Sequence, residues 1–268
     1  MSRKQKLQRF TPAYLSSVAK KSIFHLHSAS ENLLNACFDK YDYQTMHVIR
    51  RYLLPTDNWV DVGAHKGLIL DTLLRQAPRG KGFAFEPLPH LYKKLLTKYR
   101  NRVSLHDCAL SDTIGEADFF FNVNRPAVSG FRQRIFDESP EVQILQVKVD
   151  TLDNAISDAI PIRLIKIDVE GAELCVLKGA ERILKTNRPI VLFEFGLGAA
   201  DLYDANPGEV YDFLQSCGLS LSTLELFLYQ KQPLSREEFK HSYNKGYDYF
   251  FIAYNTAIFA ENVIRKIL

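Results

Sequence analysis

The sequence contains little cysteine, and its few cysteines lie far apart. There are four of them, Cys37, Cys108, Cys175 and Cys217, and no two form a C-x-x-C pair. Structural zinc sites and disulfide frameworks depend on closely spaced or paired cysteines. The spacing therefore argues against both kinds of site and favours reduced thiols in the cytoplasm.

Long apolar runs and an excess of one charge are also absent. No stretch approaches the roughly 20 apolar residues of a membrane-spanning helix, and no apolar segment follows the basic N-terminal residues as in a secretory signal. The formal net charge is only +3, whereas nucleic-acid-binding proteins usually carry a strongly basic face. We therefore expect a cytoplasmic protein with no transmembrane segment and no nucleic-acid partner.

Acidic residues are missing from the first 30 positions, which contain six lysines and arginines. Apolar residues with loose helical spacing, such as Leu15, Val18 and Leu26, accompany these charges. We predict that residues 1–56 form a helical extension and that residues 57–268 form a separate domain. A solvated arm over the domain edge is the favoured interpretation of the extension, and a surface that attracts anionic groups is the alternative.

From Trp59 onward, short apolar runs alternate with helical patterns. The predicted core strands are NWVDVGA, KGFAFEP, RVSLHDCAL, IRLIKIDV and PIVLFEFG, and the last two strands are LELFLYQ and YDYFFIAYN. AELCVLKGAERILKT predicts one helix, while EADFFFNVN and VQILQVKVDTL predict a hairpin over the sheet edge. This alternation is typical of a doubly wound, Rossmann-like α/β sheet, which binds ligands beyond the carboxyl ends of its strands.

Three small residues, Gly63, Ala64 and Gly67, crowd the turn after the first predicted strand. Glycine there allows a sharp bend and lets a ligand approach the backbone. The spacing G-A-H-K-G, with His65 inside it, lacks the G-x-G-x-x-G pattern that cradles a pyrophosphate. The turn therefore favours a ligand without phosphates.

Two acidic residues accompany this turn. Asp61 precedes it, and Glu86 ends the second strand 19 residues after Gly67, where a carboxylate can accept two hydrogen bonds from a ribose diol. A ribose with a positively charged amino-acid tail fits S-adenosylmethionine. The alternative is an ordinary tight turn with incidental acids. Asp107, Cys108 and Ala109 end the third strand, where they could contact adenine, although Asp107 could equally cap a loop.

A second acidic group follows the fourth core strand. Asp168, Glu170 and Glu173 lie in IDVEGAEL, and Glu194 ends the next strand. A helix N-terminus accounts for Glu173, but a charge leaving a buried strand, as at Asp168, needs another reason. Asp168 could hold the methionyl amine of the cofactor or orient an acceptor hydroxyl, and Glu170 could act as a general base. A Mg²⁺ site formed by Asp168, Glu170 and Glu194 is a less favoured alternative.

The segments VDVGAHKG, FEP, CALSD and IKIDVEGAE, in this order, closely resemble the FkbM family of S-adenosylmethionine-dependent methyltransferases. The resemblance covers roughly residues 57–255. It implies a class I methyltransferase sheet of about seven strands, the last antiparallel, and usually O-methylation of a hydroxyl on a sugar or natural product. It implies that Asp61, Gly63 and Gly67 form the cofactor loop and that Glu86 is the ribose-binding acid. It also implies that Asp107 to Ala109 lie on the adenine side, and that Asp168 and Glu170 form the acidic block beside the methyl group. At His65 the family more often has asparagine.

Two other functions are compatible with these residues. A nucleotide-dependent oxidoreductase could share the sheet, although the missing third glycine counts against it. A cofactor-binding module without turnover is the other alternative. We expect a small-molecule or glycan acceptor, whose identity the sequence does not predict. The aromatic strands near the C-terminus could also pair across a two-fold axis in a homodimer.

Overall fold

The computed structural model of the protein describes residues 40–134 and 141–261. The predicted helical arm before Lys40 lies outside the described residues. Helix α1 spans Lys40–Tyr52, and the compact unit that begins at Gln44 contains both of the sheets described below. The predicted domain boundary at residue 56 stays a prediction. Every helix in the described ranges is too short or too polar to cross a membrane.

A seven-stranded sheet forms the centre of this unit. Its strands are β1 (Asn58–Val62), β2 (Gly82–Phe85), β3 (Ser104–His106), β7 (Ile162–Ile167), β8 (Ile190–Glu194), β9 (Ser220–Thr223) and β10 (Phe250–Tyr254). Their order is β3-β2-β1-β7-β8-β10-β9. The first five strands in this order are parallel, whereas β10 runs antiparallel to both neighbours. The predicted doubly wound sheet with an antiparallel last strand is confirmed.

Helices connect the strands and cover the sheet. They are α2 (Leu68–Gln76), α3 (Pro89–Tyr99), α4 (Leu152–Ala155), α5 (Glu173–Lys178), α6 (Glu181–Asn187), α7 (Pro207–Ser216), α8 (Leu224–Leu228) and α9 (Arg236–Lys245). The core is formed by strand residues such as Val60, Ile165 and Val191, all fully buried. Residues that are buried on both faces of a central strand give the continuous apolar runs seen in the sequence.

A second sheet of three strands lies outside the main one. Its strands are β4 (Cys108–Leu110), β5 (Gly115–Asn122) and β6 (Val142–Asp150), in the order β4-β6-β5. The predicted β-rich pair is therefore present as β5 and β6, which are antiparallel along eight residue pairs. The predicted strand RVSLHDCAL is divided at Asp107, because Cys108–Leu110 pairs with β6 rather than continuing beside β2.

Two predicted elements differ in the structure. LELFL forms helix α8 instead of a strand, since Leu224 and Phe227 are buried at helical spacing and Thr223 caps the helix by accepting from the Leu226 N–H. The helix predicted over residues 172–186 is broken into α5 and α6 at Gly179. A Cβ atom there would lie 1.9 Å from the Ser111 carbonyl oxygen, so this close approach requires glycine.

The strand at one edge of the main sheet is β9, with β10 next to it. An edge strand presents unpaired backbone groups that can pair with another chain. The predicted homodimer relied on the aromatic strands near the C-terminus, but LELFL is a helix and β10 is paired on both sides. The homodimer stays a prediction.

Candidate active site

The turn after β1 is shaped by close contact with the segment that follows β7. Gly63 has φ +74°, and a Cβ atom on it would lie 1.9 Å from the backbone oxygen of Asp168. The N–H groups of Gly63 and Ala64 both donate to the Phe85 carbonyl, at 3.1 Å. The glycine after β1 is thus required by the approach of the backbone after β7, and the turn is anchored to the end of β2.

Gly67 closes the same turn at the start of α2. Its φ is +79°, and a Cβ atom would lie 2.7 Å from the ring of Tyr99. The Tyr99 hydroxyl donates to the Gly67 carbonyl at 2.8 Å. Gly63 is therefore required by the backbone that follows β7, and Gly67 is required by the Tyr99 ring of α3.

Glu86 binds the turn from the end of β2. Its carboxylate accepts from the His65 N–H at 2.8 Å through Oε2 and from the Leu88 N–H at 3.0 Å through Oε1. Burial raises the pKa of this carboxyl group to about 7, against the lowering effect of the two backbone hydrogen bonds. A carboxylate has about four lone-pair sites, so each oxygen retains capacity for one further donor.

A buried lysine connects the ends of β1 and β7. The ammonium of Lys166 donates to the Gly63 carbonyl at 3.1 Å and lies 3.2 Å from Asp168 Oδ2 and 3.5 Å from Asp61 Oδ1. Asp61 is directly opposite Lys166 in the strand register. Burial opposes the charge on Lys166, but the carboxylates of Asp168 and Asp61 together raise its pKa above the ordinary value.

The two partners of Lys166 differ in their surroundings. Asp61 is 1% exposed, and beyond the ion pair neither of its oxygens accepts a hydrogen bond from the described residues. Burial raises its pKa, and Lys166 opposes that shift. The Asp168 side chain is 35% exposed. Burial raises the pKa of the Asp168 carboxyl group, but Lys166 and the hydrogen bond from Glu194 together lower it below the ordinary value. Asp61 is thus an internal counter-ion, whereas Asp168 is an accessible carboxylate.

Three carboxyl groups meet at the carboxyl ends of β7 and β8. The oxygens of Asp168, Glu170 and Glu194 lie within 4.8 Å of one another. Burial, and then the charges of Asp168 and Glu170, raises the pKa of Glu194 to about 10. Glu194 is therefore protonated at neutral pH, and its hydrogen bond to Asp168 stabilises the ionised form of that neighbour.

Glu170 has a different partner. Its φ is +59°, a left-handed conformation that is uncommon for a residue with a side chain. Burial and then the charge of Asp168 raise its pKa to about 8, and Arg134 opposes the shift. The Arg134 guanidinium is paired with the Glu170 carboxylate and donates to the Gly198 carbonyl at 2.9 Å. The Glu170 carboxylate is thus already engaged in an ion pair.

The segment before Arg134 is held over this end of the sheet. The Tyr203 hydroxyl accepts from the Arg132 N–H at 3.0 Å, and a Cβ atom on Gly130 would lie 3.0 Å from the same hydroxyl oxygen. Ser129 is buried, and its hydroxyl accepts from the Asn122 N–H. The 3₁₀ turn Pro126–Val128 lies between these contacts, so the loop after β5 forms one wall of a cleft.

The cleft is open to solvent, and the empty space within it, counted out to its open mouth, is about 730 Å³. Of the residues predicted from the sequence, the lining includes Gly63, His65, Glu86, Cys108, Ala109, Asp168 and Glu170. The second sheet contributes Phe119 to the apolar walls, and the loop after β5 contributes Phe131. The cleft therefore joins the ends of β1, β2 and β7, where a doubly wound sheet binds its ligands.

The chain matches the family model described as the methyltransferase FkbM domain over residues 61–221. This chain belongs to the FkbM methyltransferase family. The match extends from Asp61 to Leu221, so it includes every residue that lines the cleft and all three clustered carboxyl groups.

Individual relatives match this chain in part. Methyltransferase sdnD of Sordaria araneosa is 30% identical over 154 residues, which are 46% of this chain and 60% of that protein. The AMB antimetabolite synthetase AmbE of Pseudomonas aeruginosa is 28% identical over 204 residues, which are 59% of this chain but 10% of that protein. The chain thus spans less than two thirds of each relative.

Among solved structures, the methyltransferase FkbM from Methylobacillus flagellatus KT is similar with a TM-score of 0.46 and 17% identity. The similarity covers 87% of this chain and 60% of that one. The family assignment rests on the family match and not on this likeness.

Some predicted site residues of this chain lie outside the cleft lining. Asp107 is exposed and forms an ion pair with Lys148 at 3.0 Å. Ala64 and Gly67 shape the turn, and Asp61 and Glu194 act on the cleft through Lys166 and Asp168. The structure thus does not bring Asp107 to the cleft, and its predicted contact with adenine stays a prediction.

Two charged residues of the site were missed by sequence reasoning. Lys166 lies inside a buried apolar strand, where a lysine requires a partner. That signal was present in the sequence, since Lys166 and Asp168 are two residues apart and share a strand face. Arg134 carries no comparable signal, because only the path of the loop after β5 brings it to Glu170.

Proposed function

We propose that this FkbM methyltransferase uses S-adenosylmethionine to methylate a hydroxyl oxygen of a sugar, glycan or small natural product. The observation that carries the proposal is a single cleft lined by both the Glu86 carboxylate and the accessible Asp168 carboxylate. Glu86 can accept hydrogen bonds from a ribose diol, and Asp168 can accept one from the acceptor hydroxyl. Neither interaction requires a phosphate-binding turn.

The residues present fit this cofactor. Each Glu86 oxygen accepts one backbone N–H and retains a lone pair for a ribose hydroxyl. The Nε2 atom of His65 is buried without a hydrogen-bond partner among the described residues, although His65 lines the cleft. A buried polar atom of this kind is usually satisfied by a ligand or water. Cys108 and Ala109, with Leu88 beside them, provide an apolar wall for the base.

When bound, S-adenosylmethionine supplies an electrophilic methyl group on a positively charged sulfur. The residues of the chain then have to align the acceptor oxygen with this methyl group. They also have to accept the hydroxyl proton as the methyl group is transferred to the oxygen and the sulfur loses its positive charge. Alignment of this kind can lower a barrier by about 7–11 kcal/mol. Asp168 is ionised and faces the cleft, so it can accept a hydrogen bond from the acceptor hydroxyl. Glu194, protonated at neutral pH, donates a hydrogen bond to Asp168.

Loss of the Glu86 side chain tests the cofactor assignment. We expect Glu86→Ala to weaken S-adenosylmethionine binding by about 10–100-fold, since hydrogen bonds to a charged group contribute about 1.5–3 kcal/mol. Wild-type affinity should also rise from pH 6 to pH 8, because Glu86, with its pKa of about 7, accepts both ribose hydroxyls only when ionised.

Titration calorimetry measures both effects, and the control variant is Glu116→Ala, an exposed glutamate on β5. Circular dichroism must show that the Glu86 variant is folded, because the same carboxylate holds the turn after β1. An unchanged dissociation constant in a folded Glu86→Ala protein would contradict the assignment. Stabilisation by NAD instead of S-adenosylmethionine would favour the oxidoreductase alternative.

Removal of metal ions tests whether methyl transfer depends on a bound metal ion or on positioning of the acceptor by the protein alone. Three carboxyl groups within 4.8 Å could hold Mg²⁺, but Lys166 and Arg134 already supply two positive charges to the cluster. We therefore expect turnover to be unchanged after treatment with EDTA and after addition of 5–10 mM Mg²⁺, roughly the range over which weak carboxylate sites fill. A stimulation by Mg²⁺ that EDTA abolishes would support the metal site instead.

A further inference from the structure

The ammonium of Lys166 has three neighbours, which match the three donors of a lysine. It contacts the Gly63 carbonyl on the cofactor side of the cleft, the Asp168 carboxylate on the reacting side, and the Asp61 carboxylate beneath them. The Lys166 side chain is only 7% exposed. The buried Lys166 ammonium thus contacts both the glycine turn and Asp168 without lining the cleft.

The strand register explains how the three groups meet. Asp61 and Lys166 are paired residues of β1 and β7, so their side chains leave the sheet on the same face. Asp168 follows Lys166 at the two-residue spacing of that face, just past the strand end. The Asp168 N–H donates to the Val62 carbonyl at 3.2 Å, which brings the two strand ends together.

Charge balance gives Lys166 a further role. Without it, the carboxylates of Asp61 and Asp168 would repel each other at the end of the sheet, since like charges at close range disfavour ionisation. The other titratable groups that interact with Asp168 are His65 on the turn after β1, Glu194 at the end of β8, and Glu170 and Glu173 after β7. Among the side chains of the described residues, that of Lys166 contacts both Asp168 and the backbone of the glycine turn.

We propose that Lys166 is a positioning residue, which holds the glycine turn after β1 and the Asp168 carboxylate at the cleft in one fixed arrangement. Asp61 is the counter-ion that allows this lysine to be buried. The role assigned to Asp168 rests on the proposed function, but the contacts that fix it do not.

The test must separate positioning from stability. Lys166→Met should destabilise the protein strongly, because it leaves Asp61 as an unpaired buried charge. The double variant Lys166→Met/Asp61→Asn removes both charges of the pair and should recover most of that stability. Lys148→Met is the matched control, since Lys148 also forms an ion pair at 3.0 Å but at an exposed position.

We expect the double variant to unfold near the wild-type denaturant concentration and yet to bind S-adenosylmethionine about tenfold or more weakly by calorimetry. The Lys148 control should match the wild type in both respects. Lys166→Arg, which keeps the charge, should recover part of the affinity. If affinity returns together with stability in the double variant, or if the double variant does not fold, Lys166 serves folding alone and the proposal is overturned.

A second measurement does not depend on the cofactor. Carbon-13 NMR of the side-chain carboxyl groups should show that Asp168 titrates at higher pH in the double variant than in the wild type or in Lys148→Met. An unchanged Asp168 midpoint would overturn the positioning role. If the wild type does not bind S-adenosylmethionine at all, the proposed function fails, while this titration still decides the role of Lys166.

Discussion

Replacement of Asp168 by asparagine is expected to lower kcat by about 10²–10⁴-fold, the usual contribution of a positioned proton acceptor. Asparagine keeps the size of the side chain but cannot take a proton. Asp168 is the carboxyl group of the cluster whose pKa lies below its usual value, because Lys166 and the hydrogen bond from Glu194 together outweigh the effect of burial. It is therefore ionised throughout the physiological range and ready to accept a hydrogen bond from an acceptor hydroxyl.

The other two acids of the cluster should be less sensitive. Glu194, with a pKa of about 10, is protonated at neutral pH and cannot accept a proton there. Glu170 has a pKa of about 8 and is paired with Arg134. We expect Glu170→Gln to lower kcat by less than about tenfold and to remove any inflection near pH 8 from the pH profile of kcat.

The measurement is release of S-adenosylhomocysteine with the best acceptor from a panel of sugars and natural-product hydroxyls. Binding of S-adenosylmethionine by calorimetry should change little in Asp168→Asn if Asp168 serves the acceptor. A comparable loss of affinity and kcat would assign Asp168 to the cofactor amine instead. Full activity of Asp168→Asn would make Asp168 structural, whereas a larger loss of kcat in Glu170→Gln would assign proton removal to Glu170 instead.

Local patterns were sufficient to predict the glycine turn and its acids. Gly63 and Glu86 each follow a short apolar strand, and the carboxyl ends of neighbouring parallel strands meet at one edge of a sheet. The structure places both residues in the cleft lining. The same rule also predicted the meeting of Asp168, Glu170 and Glu194, whose oxygens lie within 4.8 Å.

The rule failed where a chain segment leaves the main sheet. Asp107 follows β3, but the next three residues join the second sheet, so the side chain faces solvent and pairs with Lys148. Arg134 reaches Glu170 across 36 positions of sequence. Contacts of this kind depend on the path of long connections, which residue periodicity does not encode.

Ionisation was also beyond sequence reasoning. The cluster was predicted as a set of similar acids, of which Glu170 was the candidate base. The structure gives them different protonation states, because Lys166 contacts Asp168 while Arg134 contacts Glu170 and Glu194 has no cation beside it among the interactions of the described residues. The roles expected of the three residues therefore follow from their neighbours rather than from their residue type.

The second large effect is expected at Gly63. We expect Gly63→Ala to lower the free energy of unfolding by about 4 kcal/mol or more, a large share of the 5–15 kcal/mol typical of a domain. The added Cβ would lie 1.9 Å from the Asp168 backbone oxygen and 3.1 Å from its carbonyl carbon. Because both atoms belong to the backbone of a neighbouring strand end, no side-chain rotation can relieve the contact.

Gly246 provides a matched control for the backbone conformation. Its φ of +61° is similar to the +74° of Gly63, but a Cβ atom there would have no neighbour within 4 Å. Gly246→Ala should therefore cost only about 1 kcal/mol, the usual penalty for a left-handed residue with a side chain. Urea denaturation of the two variants then isolates the contact with Asp168 as the difference between them. Equal losses in the two variants would show that conformation alone requires glycine at residue 63, and that the ends of β1 and β7 can separate without cost.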